Sequence, residues 1–300
     1  MSLAVKKLVY ISAILVCTIY ACSIYLTGQL SRQRVEMDNV ENCRQLGGYA
    51  NKNGQTVRKD VLIRSGKLCK LDEDGLETLQ KMGIRTVIDL RIPEEIKDKP
   101  DPKIDGVENI QINLADPKSN FYKMSVWGIG ITKDNYESRI NAIAKLNMNL
   151  GEMYIEGIID SEYGRKALRK VFSILADPKR DAILWHCSGG KDRTGVVAAL
   201  LLAALDIDRQ TILDDYELTN EYVQHQRIVM KLASEYWGDN EREKERVATI
   251  AGVKREFMAR TLQHIDKKYG SPMEFLTKTV GVSAAEIKTI KKKYLTDLTN

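Results

Sequence analysis

One cysteine and one arginine, six positions apart, carry the chemistry this chain is equipped for. They lie in Trp185-His186-Cys187-Ser188-Gly189-Gly190-Lys191-Asp192-Arg193-Thr194-Gly195. The apolar run Ala182-Ile183-Leu184-Trp185 leading in has the length and composition of a buried strand, and Val196 to Leu205 beyond it reads as a buried helix. A loop running from a strand into a helix N-terminus offers backbone N–H groups and the positive end of the helix dipole, a setting for an anion. Gly189 and Gly190 let successive N–H groups turn to one side. The same setting, with cations close by, favours a thiolate, so Cys187 is expected to be a nucleophile that needs no separate base. Arg193 can fold back and hold two phosphate oxygens with its planar fork. Donors ringed about the equatorial oxygens are what a phosphoryl-transfer transition state needs. The expected chemistry is therefore transfer of a phosphoryl group to Cys187, with no metal or other cofactor. The plain alternative is a core cysteine beside a glycine turn.

The order Cys-x5-Arg-Thr after a histidine resembles the signature loop of the cysteine-dependent protein tyrosine phosphatase superfamily. The fuller string His186 to Gly195 is similar to its bacterial branch, which carries a Lys-Asp pair in the loop. Further segments resemble that branch, among them the tail from Tyr269 to Ile287, which is similar to its closing helices. Asn42-Cys43-Arg44-Gln45-Leu46-Gly47-Gly48 is similar to its Asn-x-Arg-Asp-Leu-Gly-Gly element, with Gln45 in place of the acid. Asp89-Leu90-Arg91 resembles its Asp-Leu-Arg at a strand end, and Asp215-Tyr216-Glu217-Leu218-Thr219-Asn220 its Asp-Tyr-x-Leu-Thr-Asn stretch, read here as structural. The resemblance runs from residue 39 to the end and is thin between Pro93 and Ala182. It implies an α/β fold with a central mixed, mostly parallel sheet flanked by helices. It also implies hydrolysis of phosphotyrosine, with phosphoserine, phosphothreonine or phosphoinositides as further substrates.

Within that reading the N–H groups of Ser188, Gly189, Gly190, Lys191 and Asp192 line the oxyanion ring, with Arg193 as clamp. Thr194 either donates its hydroxyl to the sulfur or simply starts the helix, and His186 holds the loop backbone. The leaving group needs a proton, and general acid catalysis contributes typically about 10²–10⁴ in rate. Asp192 is the favoured acid by resemblance, although Arg193 and Lys191 beside it favour its charged form. Asp89 is the second choice; it can also orient an arginine or pair with Arg91. Lys191 either hints at substrates with extra phosphates or serves the thiolate and solvent. Two other classes share the loop: a phosphate-binding pseudoenzyme, which the presence of both Cys187 and Arg193 opposes, and a sulfur transferase, for which Arg193-Thr194 is wrong.

The elements that must position these groups are legible in outline. Asn53-Gly54 between Tyr49-Ala50 and Thr56-Val57 predicts a hairpin turn, with Val61-Leu62-Ile63 continuing as strand. Asp72 caps a helix through Lys81 that Gly83 ends; Thr86 to Arg91 and Val107 to Ile112 read as strands. Phe121 to Gly130 is either a flap over the pocket or a packed loop. Helices are expected over 140–159, over 164–175, after Asp208, and in two capped pieces of the tail. Ser234 to Arg246 reads as solvated surface.

Lys6-Lys7 followed by an uncharged, mostly apolar run from Leu8 to Leu26 predicts an N-terminal membrane anchor or export signal over 1–30. Ile19-Tyr20-Ala21-Cys22-Ser23 resembles a lipoprotein processing site at Cys22, apart from Tyr20. Residues 31–38 read as a linker and 39–300 as the catalytic domain, which would sit on the extracytoplasmic face of a bacterial envelope. A net charge of +5, with no basic block interleaved with aromatics, gives no reason to expect nucleic acid. Five cysteines without a Cys-x-x-Cys pair support neither a zinc site nor a disulfide framework, and leave a redox role for Cys43 or Cys69 open.

Overall fold

The structure, a computed structural model, describes residues 33–129, 135, 138, 141, 142, 145, 149–222 and 252–297. The chain divides into two compact units, Met1–Arg34 and Val35–Asn300, and the second holds the sheet and the loop around Cys187. The expected membrane segment over 1–30 and the solvated stretch 234–246 lie outside the described residues. Among the described residues no helix is long and apolar enough to cross a membrane.

The strands are β1 Arg44–Gln45, β2 Gln55–Val57, β3 Leu62–Ser65, β4 Ile84–Asp89, β5 Glu108–Gln111, β6 Ala182–His186 and β7 Leu295–Asp297. A mixed sheet runs in the order β1-β3-β6-β4-β5, parallel throughout except for β1 on β3. Strand β6 is central and buried along its whole length, which is why it is written in apolar residues without alternation. Its register sets Ser65 and Asp89 on either side of His186. The carboxyl ends of three parallel strands therefore lie abreast, where open α/β sheets gather their ligands. The expected hairpin forms at Gly54, whose φ of 78° suits glycine, but β2 also pairs with β7 at the far end of the chain.

The helices are α1 Glu73–Lys81, α2 Pro93–Asp98, α3 Asn120–Trp127, α4 Leu150–Tyr154, α5 Glu162–Leu175, α6 Arg193–Ala204, α7 Arg209–Glu217, α8 Thr219–Tyr222, α9 Arg255–Tyr269, α10 Pro272–Glu274 and α11 Ala284–Tyr294. Helix α4 continues as a π-turn over Ile155–Ile159, and α10 as another over Phe275–Val280. Asp72 and Asp208 cap their helices through side-chain oxygens, and Ser283 with Glu286 forms a capping box. Helix α6 is apolar on every face because it is core: it packs against β3, β6, α7, α10 and α11.

Two expectations change. The segment read as a flap or packed loop contains helix α3, capped by Ser119, with Phe121 fully buried edge-on to Tyr154. Of the helix expected over 140–159, residues 141 and 142 are helical, 140, 143, 144 and 146–148 lie outside the described residues, and helix resumes at Leu150, where the Asn149 side chain accepts the Glu152 N–H and caps it. Val35 and Met37, read as linker, are buried in the core, and the Val35 N–H donates to the Cys43 carbonyl. Two apolar side chains in a polar stretch were enough to dock it.

Candidate active site

Cys187 is recessed, 1% exposed, at the carboxyl end of β6, and Arg193 opens α6. The loop between them is held by its carbonyls. The Cys187 carbonyl faces His186 Nδ1 at 3.3 Å, and that of Ser188 accepts from the Lys67 N–H at 3.1 Å. Gly189 O accepts from Asn42 Nδ2 at 3.1 Å and Gly190 O from Arg64 Nη2 at 3.0 Å. Lys191 O and Asp192 O take the N–H groups of Gly195 and Val196, starting the helix. In a planar trans peptide the C=O and the following N–H point in opposite directions. Carbonyls drawn back onto the scaffold therefore turn the amides of Ser188, Gly189, Gly190 and Lys191 to the opposite face of the loop, as an anion cup requires. Gly190 is obligatory for two reasons. Its φ is +65°, and a Cβ there would fall 2.5 Å from the Ser65 carbonyl carbon.

Arg193, the expected clamp, has its own holder. Glu95, three residues into α2, takes Arg193 Nη1 at 2.5 Å and Nη2 at 2.8 Å, one carboxylate oxygen each. It also accepts from Ser188 Oγ at 2.7 Å and from the Ile92 N–H at 2.9 Å. Two of the five guanidinium donors are thus committed, and Arg193 Nε, though buried, has no partner among the described residues. The edge carrying Nε is the one left to grip an anion. The Phe121 ring lies 5.9 Å from the guanidinium. Burial works against the charge on Arg193, but the fields of Glu95, Cys187 and Asp192 outweigh it and hold the group above its ordinary value. Burial likewise opposes ionisation of Glu95; Arg193 and the Ser188 and Ile92 hydrogen bonds reverse this and keep the carboxyl below its usual range.

A buried ionic knot braces the loop from behind. Asp215 accepts from Arg44 Nε at 3.1 Å and from Arg64 Nη1 at 2.5 Å, while Arg44 also reaches the Asp215 carbonyl and the Asn42 side chain. Burial opposes the charge on Asp215, and the two arginines lower its pKa nonetheless. Asn42 and Arg64 are the residues that hold Gly189 and Gly190, so the two segments resembling family elements meet at this knot. Gln45, at the position of the missing acid, accepts the Asp60 N–H instead.

The proton-donor candidates separate cleanly. Asp192 is the N-cap residue of α6 but its side chain caps nothing. Its Oδ1 accepts from Tyr154 OH at 2.5 Å, and its Oδ2 stands 3.8 Å from Lys191 Nζ. Asp89 is gripped by Arg91, through Nε at 2.9 Å to Oδ1 and Nη2 at 2.8 Å to Oδ2, and accepts the Arg91 N–H as well. Asp101, beside it, binds Arg91 Nη2 at 2.7 Å and lies 3.1 Å from His186 Nε2 without hydrogen-bond alignment. Ligand atoms of Asp89, Asp101 and His186 lie within 4.8 Å of one another, but the Arg91 guanidinium is already the cation between the carboxylates. Lys191 donates to the Gly252 carbonyl at 3.1 Å. Thr194 Oγ1 is buried with no partner among the described residues, and its carbonyl accepts from Trp185 Nε1 at 3.2 Å.

Sequence reasoning passed over Glu95, Arg64 and Tyr154. A lone arginine inside the apolar strand Leu62-Ile63-Arg64-Ser65 was a signal for a buried ion pair. Pro93-Glu94-Glu95, a helix start at the carboxyl end of a strand, was a signal for a carboxylate aimed at the site. Tyr154 carried no signal, being one apolar-face residue among several.

The chain is similar to known phosphatases. A triple specificity protein phosphatase of Mycobacterium tuberculosis, PtpB, is 29% identical over 254 residues, spanning 78% of this chain and 91% of its own. A tyrosine-protein phosphatase of Nostoc commune is 24% identical over 241 residues, spanning 78% and 74%. Among solved structures, the core catalytic domain of the PP-IP phosphatase SIW14 from S. cerevisiae, in complex with citrate, aligns with a TM-score of 0.32 at 14% identity, over 68% of this chain and 98% of its own. The sequence pattern of the tyrosine phosphatase family matches residues 35–296, from the first core residue to the last strand, and the chain belongs to that family of phosphatases.

Proposed function

We propose that the chain hydrolyses phosphotyrosine monoesters, with phosphoserine and phosphothreonine as secondary substrates, through a phosphocysteine at Cys187 and without a metal. The observation that carries this is the loop whose carbonyls are all tied back, around a recessed Cys187, with Arg193 held by Glu95. The Cys187 sulfur attacks phosphorus as the ester P–O bond breaks. The amides and Arg193 stabilise the charge on the equatorial oxygens. Asp192 gives its proton to the leaving oxygen, then takes one from the water whose oxygen attacks phosphorus as the S–P bond breaks, releasing inorganic phosphate, and Thr194 Oγ1 supports the departing sulfur. A recessed sulfur favours the long aryl arm of phosphotyrosine over the shorter serine and threonine esters.

Phosphoinositides are the second reading, favoured by Lys191 as an extra cation. Its hydrogen bond to Gly252 and its proximity to Asp192 commit part of that charge, which keeps the lipid reading second. A panel of phosphotyrosine peptide, phosphoserine peptide and phosphoinositide vesicles at equal phosphate decides between them. Highest kcat/KM on the phosphotyrosine peptide is expected, and strong preference for the vesicles would reverse the order. We further propose that residues 1–30 anchor or export the domain, from their apolar sequence and basic start. Recovery of the full chain in the membrane fraction is expected, and a fully soluble, unprocessed chain would contradict it.

A further inference from the structure

We propose that Tyr154 and Tyr216 form a hydrogen-bond chain that aims Asp192 at the leaving group, which makes both tyrosines positioning residues for the phosphatase reaction. This rests on the reading of Asp192 as the general acid. Tyr154 OH lies 2.5 Å from Asp192 Oδ1 and 2.8 Å from Tyr216 OH, and all three residues are buried. A phenol has one proton to give. Tyr154 gives its proton to the carboxylate, the stronger acceptor, so it receives one from Tyr216, and the chain runs Tyr216 to Tyr154 to Asp192. The N-cap position does not orient Asp192, because its side chain accepts nothing from α6. Tyr154 does. With Oδ1 pinned, Oδ2 is the oxygen that carries the exchangeable proton, and Lys191 Nζ at 3.8 Å is too far to hold it by a hydrogen bond.

Both tyrosines are themselves fixed by the scaffold. Tyr154 ends α4 where the helix loosens into its π-turn, and it packs edge-on against Phe121, the ring that also lies beside Arg193. Tyr216 follows Asp215 of the ionic knot, and its ring presses on Gly195, where a Cβ would come within 3.0 Å. The Asp215-Tyr216 pair thus braces the back of the cup with one residue and the acid with the next. Burial first, and the Asp192 charge second, raise both phenols well above their ordinary range. They stay protonated and donate, rather than acting as acids themselves.

The test is kcat/KM for aryl phosphates of graded leaving-group ability, in the wild type and in Asp192→Asn, Tyr154→Phe and Tyr216→Phe, with orthovanadate binding as a check on the cup. Tyr154→Phe is expected to lose about tenfold on phenyl phosphate, one decade of the acid's contribution, and little on 2,4-dinitrophenyl phosphate, with vanadate binding retained. Tyr216→Phe should show the same selectivity, more weakly. A wild-type slope in Tyr154→Phe alongside a steep one in Asp192→Asn overturns the positioning role and leaves the acid standing. A wild-type slope in Asp192→Asn overturns both. Equal loss on all esters together with lost vanadate binding marks a merely structural tyrosine and also overturns the proposal. If Tyr154→Phe does not fold, Tyr216→Phe decides, and an unchanged slope there refutes it.

Discussion

Replacing Glu95 with glutamine is expected to reduce stability and turnover together, by amounts set by its contacts. Glu95 gives one oxygen to each Nη of Arg193, at 2.5 and 2.8 Å, and accepts from Ser188 and Ile92 besides. A hydrogen bond to a charged group contributes about 1.5–3 kcal/mol. Glutamine keeps one acceptor but turns an NH2 toward the second Nη, so one bond becomes a donor–donor clash and the other loses its charge. Arg193 is only 4% exposed and would lose its counter-ion, and breaking a buried pair in this way costs about 3–5 kcal/mol. The expected destabilisation is about 3 kcal/mol, a Tm lower by roughly 6–12 °C for a domain of this size. A clamp free to turn away from the cup forfeits a similar part of its grip on the transition state, about a hundredfold in kcat/KM. The folded carboxyl lies below its ordinary value, so its contribution is present in full above about pH 4.3 and is lost as pH falls from there through the folded pKa. The gap between wild type and Glu95→Gln should therefore hold steady at neutral pH and close in acid. Thermal unfolding across pH and 4-nitrophenyl phosphate kinetics measure both. A variant that melts with the wild type, or keeps its kcat/KM, would show that Glu95 is not the holder of the clamp.

Cys187→Ser should abolish turnover while still binding orthovanadate, and substantial activity in it would sink the thiolate scheme. Gly190→Ala forces a side chain into a left-handed φ and against the Ser65 backbone; a loss of at least about 2 kcal/mol and of vanadate binding is expected, and a fully active variant would contradict the loop geometry. Asp89→Asn should destabilise by about 3 kcal/mol through Arg91 yet keep the wild-type dependence on leaving group, and selective slowing of poor leaving groups would return Asp89 to the acid's role.

The loop from Cys187 to Arg193 was legible because its requirements are local. Strand, glycine turn and helix start sit within a score of consecutive residues, and each has its own composition. The order of elements was legible for the same reason, since Asp72, Gly83, Asp208 and Ser283 mark their helix ends by local hydrogen bonds or turn conformation. What was not legible is what the sheet brings together from afar. Glu95 reaches Arg193 across 98 positions, and Arg64 reaches Asp215 across 151. No periodicity encodes such pairs. A buried charge in an apolar strand warns that a partner exists without naming it. Tyr154 lay lower still, since a tyrosine on an apolar helix face looks the same whether its hydroxyl meets water or a carboxylate. Likewise β7 is three residues of tail whose strand character exists only because β2 offers an edge.

The central claim is a covalent one: the phosphoryl group passes through the Cys187 sulfur. Rapid acid quench of the enzyme turning over an aryl phosphate in EDTA, with mass spectrometry of the peptide spanning the loop, tests it most directly. One phosphoryl group on Cys187, absent from Cys187→Ser, is the expected result. Full turnover with that peptide unmodified, or activity that disappears with EDTA, would contradict it.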